Sequence, residues 1–422
     1  MLTRRQTCRA CGCASLVPLL SLGGQMIASG FHLTPDYPPV DRRVPLDLVR
    51  CDPSRSEDAC GLVQLSHTVP GDLMYAAYGY RSGLNESMAR HLASIAARAQ
   101  TLVKLGPGDL VVDIGANDGT LLLALQAPGA TLVGFEPSDI RPDAPTPHIS
   151  FIHDYFSAVA LRSRGFPPEA KVVTSIAMFY DLEDPGRFAA DVASILSPDG
   201  VWILELSYLP LMLSQNSFDT ICHEHLTYWA LGPLERLLAR HGLTIVDAAL
   251  NDINGGSLQV TIAREGGRLS ERSDAAKARV YNLKRRELEL MLDEPAPYNA
   301  FRERIESNRI ALPALLESLQ KQGKKVFGYG ASTKGNVTLQ YCGITPELLP
   351  AIADRNARKW GALTPGSGIP IISEDEMRAQ NPDYLLALAW HFIPSFKVRE
   401  AALLKKGCRF IVPLPKVAIV DE

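Results

Sequence analysis

Val111-Val112-Asp113-Ile114-Gly115-Ala116-Asn117-Asp118-Gly119-Thr120-Leu121-Leu122-Leu123 is the stretch from which the rest of the chain can be placed. The apolar, β-branched run Leu110 to Ile114 predicts a buried strand, Gly115 and Gly119 a turn, and Thr120 to Leu125 the start of a helix. Strand, glycine turn and helix N-terminus together form the mouth of a parallel α/β sheet, where ligands bind beyond the strand carboxyl ends. Glycine suits that turn because no Cβ stands between backbone and ligand. Twenty-three positions after Asp113, the predicted strand Thr131-Leu132-Val133-Gly134-Phe135 ends in Glu136-Pro137. An acidic side chain at the tip of a second strand suits the two hydroxyls of a ribose.

The spacing is not Gly-x-Gly-x-x-Gly. Asp-x-Gly-x-Asn-x-Gly followed by an acidic residue resembles motif I of class I S-adenosylmethionine (SAM) methyltransferases, where the glycine loop passes the methionine part of the cofactor. That resemblance implies a Rossmann-like domain whose cofactor lies against Asp113, Gly115, Asn117, Gly119, Glu136 and Pro137. Another nucleoside binder, or a glycine-rich loop with no ligand, carries the same turn.

A chain of 422 residues has room for two or three domains with ample core. Its net charge of −3 lacks the basic excess of a general nucleic-acid binder. No apolar run approaches the ~20 residues of a membrane span. Arg4-Arg5 ahead of Leu16 to Leu22 has the outline of a signal peptide, but Cys8, Cys11, Cys13 and Pro18 interrupt it. A cytoplasmic protein is expected, with neither membrane nor nucleic acid as partner. Five of the 8 cysteines precede residue 61, which in a reducing compartment favours metal over disulfide.

Cys8-x-x-Cys11-Gly12 is half of a zinc knuckle, two thiolates aimed at one ion by a glycine turn. Cys51 and Cys60-Gly61 supply the other half, although the polar insert Asp52 to Ala59 separates them more widely than usual. A closed Cys₄ site of Cys8, Cys11, Cys51 and Cys60 would stabilise and not catalyse. Plain buried thiols are the alternative, and Cys13 is a rival ligand.

Met74 to Gly83 concentrates three tyrosines near a turn, where packing is the ordinary role. Ser87 to Gln100 predicts an amphipathic helix leading into the motif strand. Asp154-Tyr155-Phe156, at the end of a strand beginning at Ile149, offers a carboxylate and aromatic rings to an adenine. Lys171 to Ser175 is the next strand and leads to Phe179-Tyr180 at the edge where cofactor and substrate would meet. Val201 to Glu205 follows, then a helix (Leu231 to His241) and a closing hairpin of Thr244 to Asn251 with Ser257 to Arg264.

The densest chemical cluster is Phe218-Asp219-Thr220-Ile221-Cys222-His223-Glu224-His225-Leu226-Thr227-Tyr228-Trp229. It lacks the His-Glu-x-x-His spacing of a metalloprotease. A general base is the functional reading: His225, with a pKa near neutral, oriented by a carboxylate such as Glu224. A solvated helix N-terminus is the bland one.

Charged helices at Ala275 to Leu292 and Asn299 to Gln322, split by Pro295-Ala296-Pro297, read as solvated braces between two lobes. The second lobe opens with Lys325-Val326-Phe327-Gly328-Tyr329-Gly330-Ala331-Ser332-Thr333-Lys334-Gly335-Asn336. Ser332, Thr333 and Lys334 at a helix N-terminus suit a phosphate. Walker A spacing is absent, so ATP is not implied. Asp354, ending the next strand, suits ribose or base contacts, and Lys359 follows it. Tyr384 to Trp390 predicts a further strand ending in His391. Lobe packing without a ligand is the alternative.

The ordered set of Cys-x-x-Cys-Gly, Cys60 to Leu65, the tyrosine–serine loop, Asp-Ile-Gly-Ala-Asn-Asp-Gly, Met178 to Asp184, His-Glu-His, Gly255 to Ser257, Gly-Tyr-Gly-Ala-Ser-Thr-Lys-Gly and Ala389 to Phe392 spans nearly the whole chain. It resembles the zinc-containing, SAM-dependent nucleotide-sugar C-3-methyltransferases that build branched deoxysugars, the tetronitrose enzyme among them. The resemblance implies an α/β protein in four parts: a zinc-binding module (1–70), a class I methyltransferase domain (71–265), connecting helices (266–322) and a C-terminal nucleotide-sugar lobe (323–422). It implies SAM and structural Zn²⁺ as cofactors and a nucleoside-diphosphate 4-keto sugar as substrate. That substrate would be held by Tyr180, Asn254, Tyr329, Ser332, Thr333, Lys334, Asn336, Asp354, Lys359, Trp390 and His391. His225 would remove the acidic C3 proton, with Tyr78, Tyr80 or His223 donating to the enolate oxygen. A monomer or weak homo-oligomer is expected. O- or N-methyl transfer, and a non-catalytic binding protein, are the competing readings. The chain departs from the family at Cys222, where tyrosine is usual, and in the widened Cys51–Cys60 spacing.

Overall fold

The computed structural model describes residues 2–31, 43–70, 74, 81–271 and 273–420. Its largest sheet has seven strands. Taken in chain order as first to seventh, they are Leu110–Ile114, Thr131–Phe135, Ile149–Ile152, Ala170–Ile176, Leu196–Ser207, Leu243–Asn251 and Ser257–Arg264. They lie side by side as third, second, first, fourth, fifth, seventh, sixth. The first five pair in parallel, and the seventh runs antiparallel to both of its neighbours. This is the class I methyltransferase order. All five residues of Leu110–Ile114 are buried, as a strand covered on both faces requires. Strand order reverses between the first and fourth strands, and the crevice of an open α/β sheet opens at such a reversal. There the Gly115 turn meets the loop after Ile176: a Cβ on Gly115 would lie 3.1 Å from Met178 Cγ.

A second, antiparallel sheet holds Leu16–Gln25, Val44–Cys51 and Val63–Leu65, with Thr227–Tyr228 as an edge strand. That edge strand comes from the methyltransferase region, immediately after His225. The N-terminal module is thus completed by the segment that carries the His-Glu-His cluster.

The C-terminal lobe is a six-stranded sheet ordered Ile371–Ile372, Ile352–Ala353, Val326–Tyr329, Tyr384–Ala387, Arg409–Val412, Ala418–Val420, parallel except at its last pair. The strand expected to run to Trp390 stops at Ala387, and Trp390–Phe392 forms a short 3₁₀ turn. The bracing helices are Asp274–Glu289 and Ala296–Lys321. They are less solvated than expected. The longer one buries Tyr298, Phe301, Ile305, Leu312 and Leu316 against the N-terminal sheet and the C-terminal lobe. On the shorter one, Glu287 accepts hydrogen bonds from the Tyr208 hydroxyl and the Leu231 amide. Among the described residues no helix is long and apolar enough to cross a membrane.

Candidate active site and zinc centre

Cys8, Cys11, Cys51 and Cys60 bring their sulfurs within 4.8 Å of one another. Cys8 and Cys60 sulfurs lie 3.6 Å apart, and those of Cys11 and Cys51 3.5 Å. Tetrahedral zinc with Zn–S bonds near 2.3 Å sets sulfurs roughly 3.7 Å apart, so the four fit that ion. Gly12 and Gly61, at φ +76° and +83°, make the turns that aim the thiolates. The insert folds away as two turns, Asp52 to Arg55 and Ser56 to Ala59, and returns Cys60 to within 3.4 Å of the Cys51 sulfur through its amide. Cys13 stands outside the set, its sulfur facing the Ser15 amide.

The motif loop is built as the sequence implied. Asn117 sits at φ +52°, its amide donates to Glu136 Oε2 at 2.9 Å, and the Ser138 amide donates to Oε1. Glu136 is thereby fixed beyond its strand, with Pro137 in the turn between. Gly119, at φ +77°, starts the helix, and a Cβ there would lie 2.7 Å from the Phe151 ring. Asp113 faces sideways within the sheet, accepting from Thr174 Oγ1 at 2.6 Å, and burial pushes its carboxyl up to about 7. Ser82 and Gly83 amides donate to Asn117 and Asp118, which lays the chain just after the tyrosine loop across this turn. Tyr78 and Tyr80 themselves lie outside the described residues.

His225 stands where the methyltransferase domain and the C-terminal lobe meet. Its Nδ1 is 2.8 Å from the Thr220 carbonyl, and the Tyr180 ring packs edge-on against it at 4.4 Å. The carbonyl fixes Nδ1 as the protonated nitrogen, leaving the Nε2 lone pair as base. Burial first, and then the Lys334 cation, push its pKa down to about 4 against the pull of Glu224. Lys334 donates to the Asn254 carbonyl at 2.7 Å, tying the two lobes together across this seam. Trp390 Nε1 donates to Asp219 Oδ2 at 2.9 Å, while buried Oδ1 has no partner among the described residues. His391 packs against Gly255, and burial pushes its pKa down to about 3. Asp181 Oδ1, both Glu224 oxygens and the Tyr228 hydroxyl are likewise buried without partners. Burial and the Glu224 charge raise the Asp181 carboxyl well above its usual range.

The structure gathers His225, Glu224, Tyr180, Asn254, Lys334, Trp390 and His391 around one seam. Ser332 caps the helix Thr333–Cys342, placing Thr333 and Lys334 in its first turn. Asp354 and Lys359 form an adjacent wall: Lys359 donates to the Ala331 carbonyl at 2.7 Å and lies 3.8 Å from Asp354.

Several expectations are corrected. His225 is oriented by the Thr220 carbonyl and not by a carboxylate, and burial removes it from near-neutral pKa. His223 bonds through Nε2 to the Val44 carbonyl at 3.1 Å, and burial lowers its pKa. A neutral ring with that proton committed has none left for an oxyanion. Phe179 is fully buried between Trp202, Trp229 and Phe188, so its ring belongs to the core and has no exposed face to offer a ligand. Phe156 packs on Phe135 and Phe188, and Tyr155 beside Asp154 is exposed on the surface. Tyr329 is buried with its hydroxyl on Glu374 and Glu400, which makes it a core residue of the lobe. Asn336 donates to the Ala28 carbonyl at 2.6 Å and faces the N-terminal module. Asp181, Asp219 and Tyr228 lie inside stretches singled out in the sequence, 176–181 and 218–229, but were given no role there, because which polar groups of such a stretch are buried without a partner depends on the fold.

A family model described as a zinc binding domain matches residues 8–75, one described as a methyltransferase domain residues 80–248, and one described as a C-methyltransferase C-terminal domain residues 252–415. The chain is 31% identical over 420 residues to the C-methyltransferase NovU of Streptomyces niveus, covering 98% of this chain and 96% of that one. Among solved structures, the complex of the Haloferax volcanii Trm112 activator with a methyltransferase matches at 19% identity, 43% of this chain, 95% of that chain and TM-score 0.35. Magnesium protoporphyrin IX methyltransferase (ChlM) of Synechocystis matches at 17% identity, 44% of this chain, 91% of that chain and TM-score 0.34. Three domain models in sequence order and a relative matched from end to end place the chain in the C-methyltransferase family, as a SAM-dependent enzyme with a zinc-binding N-terminal module.

Proposed function

We propose that the enzyme methylates C3 of a nucleoside-diphosphate 4-keto-deoxysugar through an enolate generated by His225. The observation that carries this reading is the His225 ring itself: Nδ1 committed to Thr220, Nε2 without a hydrogen-bond partner among the described residues, at the seam crossed by Lys334. A C–H beside a ketone is acidic enough for such a base once the developing oxygen charge is met by hydrogen-bond donors. Nε2 takes the C3 proton, and the electron pair moves into the C3–C4 bond and onto the carbonyl oxygen. Asp181, kept neutral by its burial, and the unpartnered Tyr228 hydroxyl are donors in the same wall. A buried protonated carboxyl is a known device for holding an enolate oxygen. Bound SAM supplies an electrophilic methyl group on a sulfonium centre. Holding the enolate carbon in line with that methyl would supply much of the rate. Thr333, Lys334 and the helix N-terminus behind them suit the diphosphate, with Lys359 beside them.

Incubation with SAM and a panel of nucleoside-diphosphate 4-keto-6-deoxyhexoses, followed by mass and NMR analysis, tests the assignment. A new carbon-bound methyl at C3 is expected. A methyl on oxygen or nitrogen replaces this reading with O- or N-methyl transfer.

A further inference from the structure

Four thiolates would close the coordination of a zinc ion and leave it no open position for chemistry, yet the residues around this site lead directly to both walls of the proposed cleft. Arg9 lies between ligands Cys8 and Cys11, and its side chain is fully buried. Its Nε pairs with Glu183 Oε2 at 3.2 Å, and its remaining donors reach the Leu65 carbonyl and Thr68 Oγ1. Thr68 itself donates to Glu183 Oε2 at 2.7 Å, and Arg5 pairs with Oε1 at 2.7 Å. Glu183 thus receives three donors from the N-terminal module. It lies three residues beyond Tyr180, whose ring packs on His225, and two beyond Asp181.

The other wall has its own connection. Strand Val63–Leu65 begins three residues after ligand Cys60 and pairs with Thr227–Tyr228, while the Leu65 amide donates to the Leu226 carbonyl at 2.9 Å. Thr227 Oγ1 then donates to the Tyr180 carbonyl at 3.1 Å, which closes the loop between the two walls. The Arg9 amide bonds to Gln64 Oε1 at 2.8 Å, so the knuckle and this strand are joined as well.

We propose that the zinc module positions the catalytic cleft, with Arg9 and Glu183 clamping the 178–184 loop and strand 63–65 holding the 222–228 segment. The proposal rests on His225 and Tyr180 being the reaction cleft. Glu183 and Arg9 would act through the walls they hold; they are positioning residues, and a bound zinc would make their module rigid. A misplacement of about 1 Å in such a wall costs on the order of a hundredfold in rate when transmitted in full.

The test uses the zinc-loaded full chain. Glu183→Ala should keep one zinc per chain and leave amide exchange at 110–114 unchanged, while exchange at 178–184 quickens by about tenfold. On a nucleoside-diphosphate 4-keto-6-deoxyhexose, its kcat should fall by about tenfold or more with KM for the sugar unchanged. Glu183→Gln, which keeps an oxygen acceptor, should recover part of kcat. Removal of zinc by a chelator should quicken exchange at 178–184 and 222–228 together. Glu183→Ala with wild-type exchange at 178–184 and wild-type kcat overturns the proposal, as does full zinc loss with both segments still protected. If chelation unfolds the entire chain, the zinc-loaded Glu183→Ala protein decides alone. If the wild type turns over no sugar of the panel, the substrate assignment fails, and the exchange measurement still decides the clamp.

Discussion

The base role proposed for His225 rests on what surrounds one ring. The Thr220 carbonyl selects its tautomer, burial and Lys334 keep it neutral, and Tyr180 fixes its plane. A base works only when unprotonated, so kcat/KM, which reports the free enzyme, should hold its plateau down through pH 6 and fall only as pH drops through about 4. An acid limb at the ordinary histidine value of 6.5 contradicts the burial effect. Cys222 stands where the resemblance implies a tyrosine. It is fully buried among Phe218, Ile221 and Leu226, and burial raises its thiol well above the usual range. A neutral, enclosed thiol has no part in proton transfer, so Cys222→Ala should keep kcat within about threefold while stability falls by roughly 1 kcal/mol from the small cavity. A hundredfold loss of kcat in a folded, zinc-loaded variant gives the thiol a chemical role instead.

The strand, turn and helix proposed to hold the cofactor were legible in the sequence as local structure, and the reasons are local. Leu110–Ile114 is an unbroken apolar run between turn residues, Gly115 and Gly119 require positive φ, and Glu136 follows its strand at a fixed spacing. Gly119→Ala should therefore cost about 1–3 kcal/mol in chemical denaturation, from a strained left-handed residue and the collision with Phe151. It should also weaken SAM binding; a change under 0.5 kcal/mol contradicts the turn assignment. Aromatic residues were read less well. Phe179 and Tyr180 are adjacent at the end of one strand, and only the fold shows that one ring enters the core while the other faces His225. Tyr329 at the end of a strand looked like a ligand contact, but two later carboxylates, half-buried Glu374 and buried Glu400, claim its hydroxyl. Thr227–Tyr228 was invisible as a strand because two residues carry no period, and its partner lies about 160 positions earlier.

At the scale of the whole molecule, three sheets converge on one seam. Lys334 from the last sheet reaches a loop of the first, Asn336 reaches the N-terminal module, and the bracing helix Ala296–Lys321 packs beneath them. The lobe that would hold the sugar nucleotide is therefore fastened to the cofactor domain by a cation whose charge is also felt at His225, Asp219 and His391. Lys334→Ala should raise KM for the nucleotide sugar by tenfold or more, leave SAM affinity within about twofold, and move the acid limb of kcat/KM upward, since loss of a positive charge eases protonation of His225. An unmoved limb would separate Lys334 from the base. The central claim is that His225 removes a proton from carbon before any methyl group moves. NMR of a nucleoside-diphosphate 4-keto-6-deoxyhexose in D₂O with enzyme but no SAM tests it most directly. The wild type should replace hydrogen by deuterium at C3, and His225→Gln, folded and zinc-loaded, should not. Equal exchange in both proteins, or none in a wild type that methylates C3, contradicts the account.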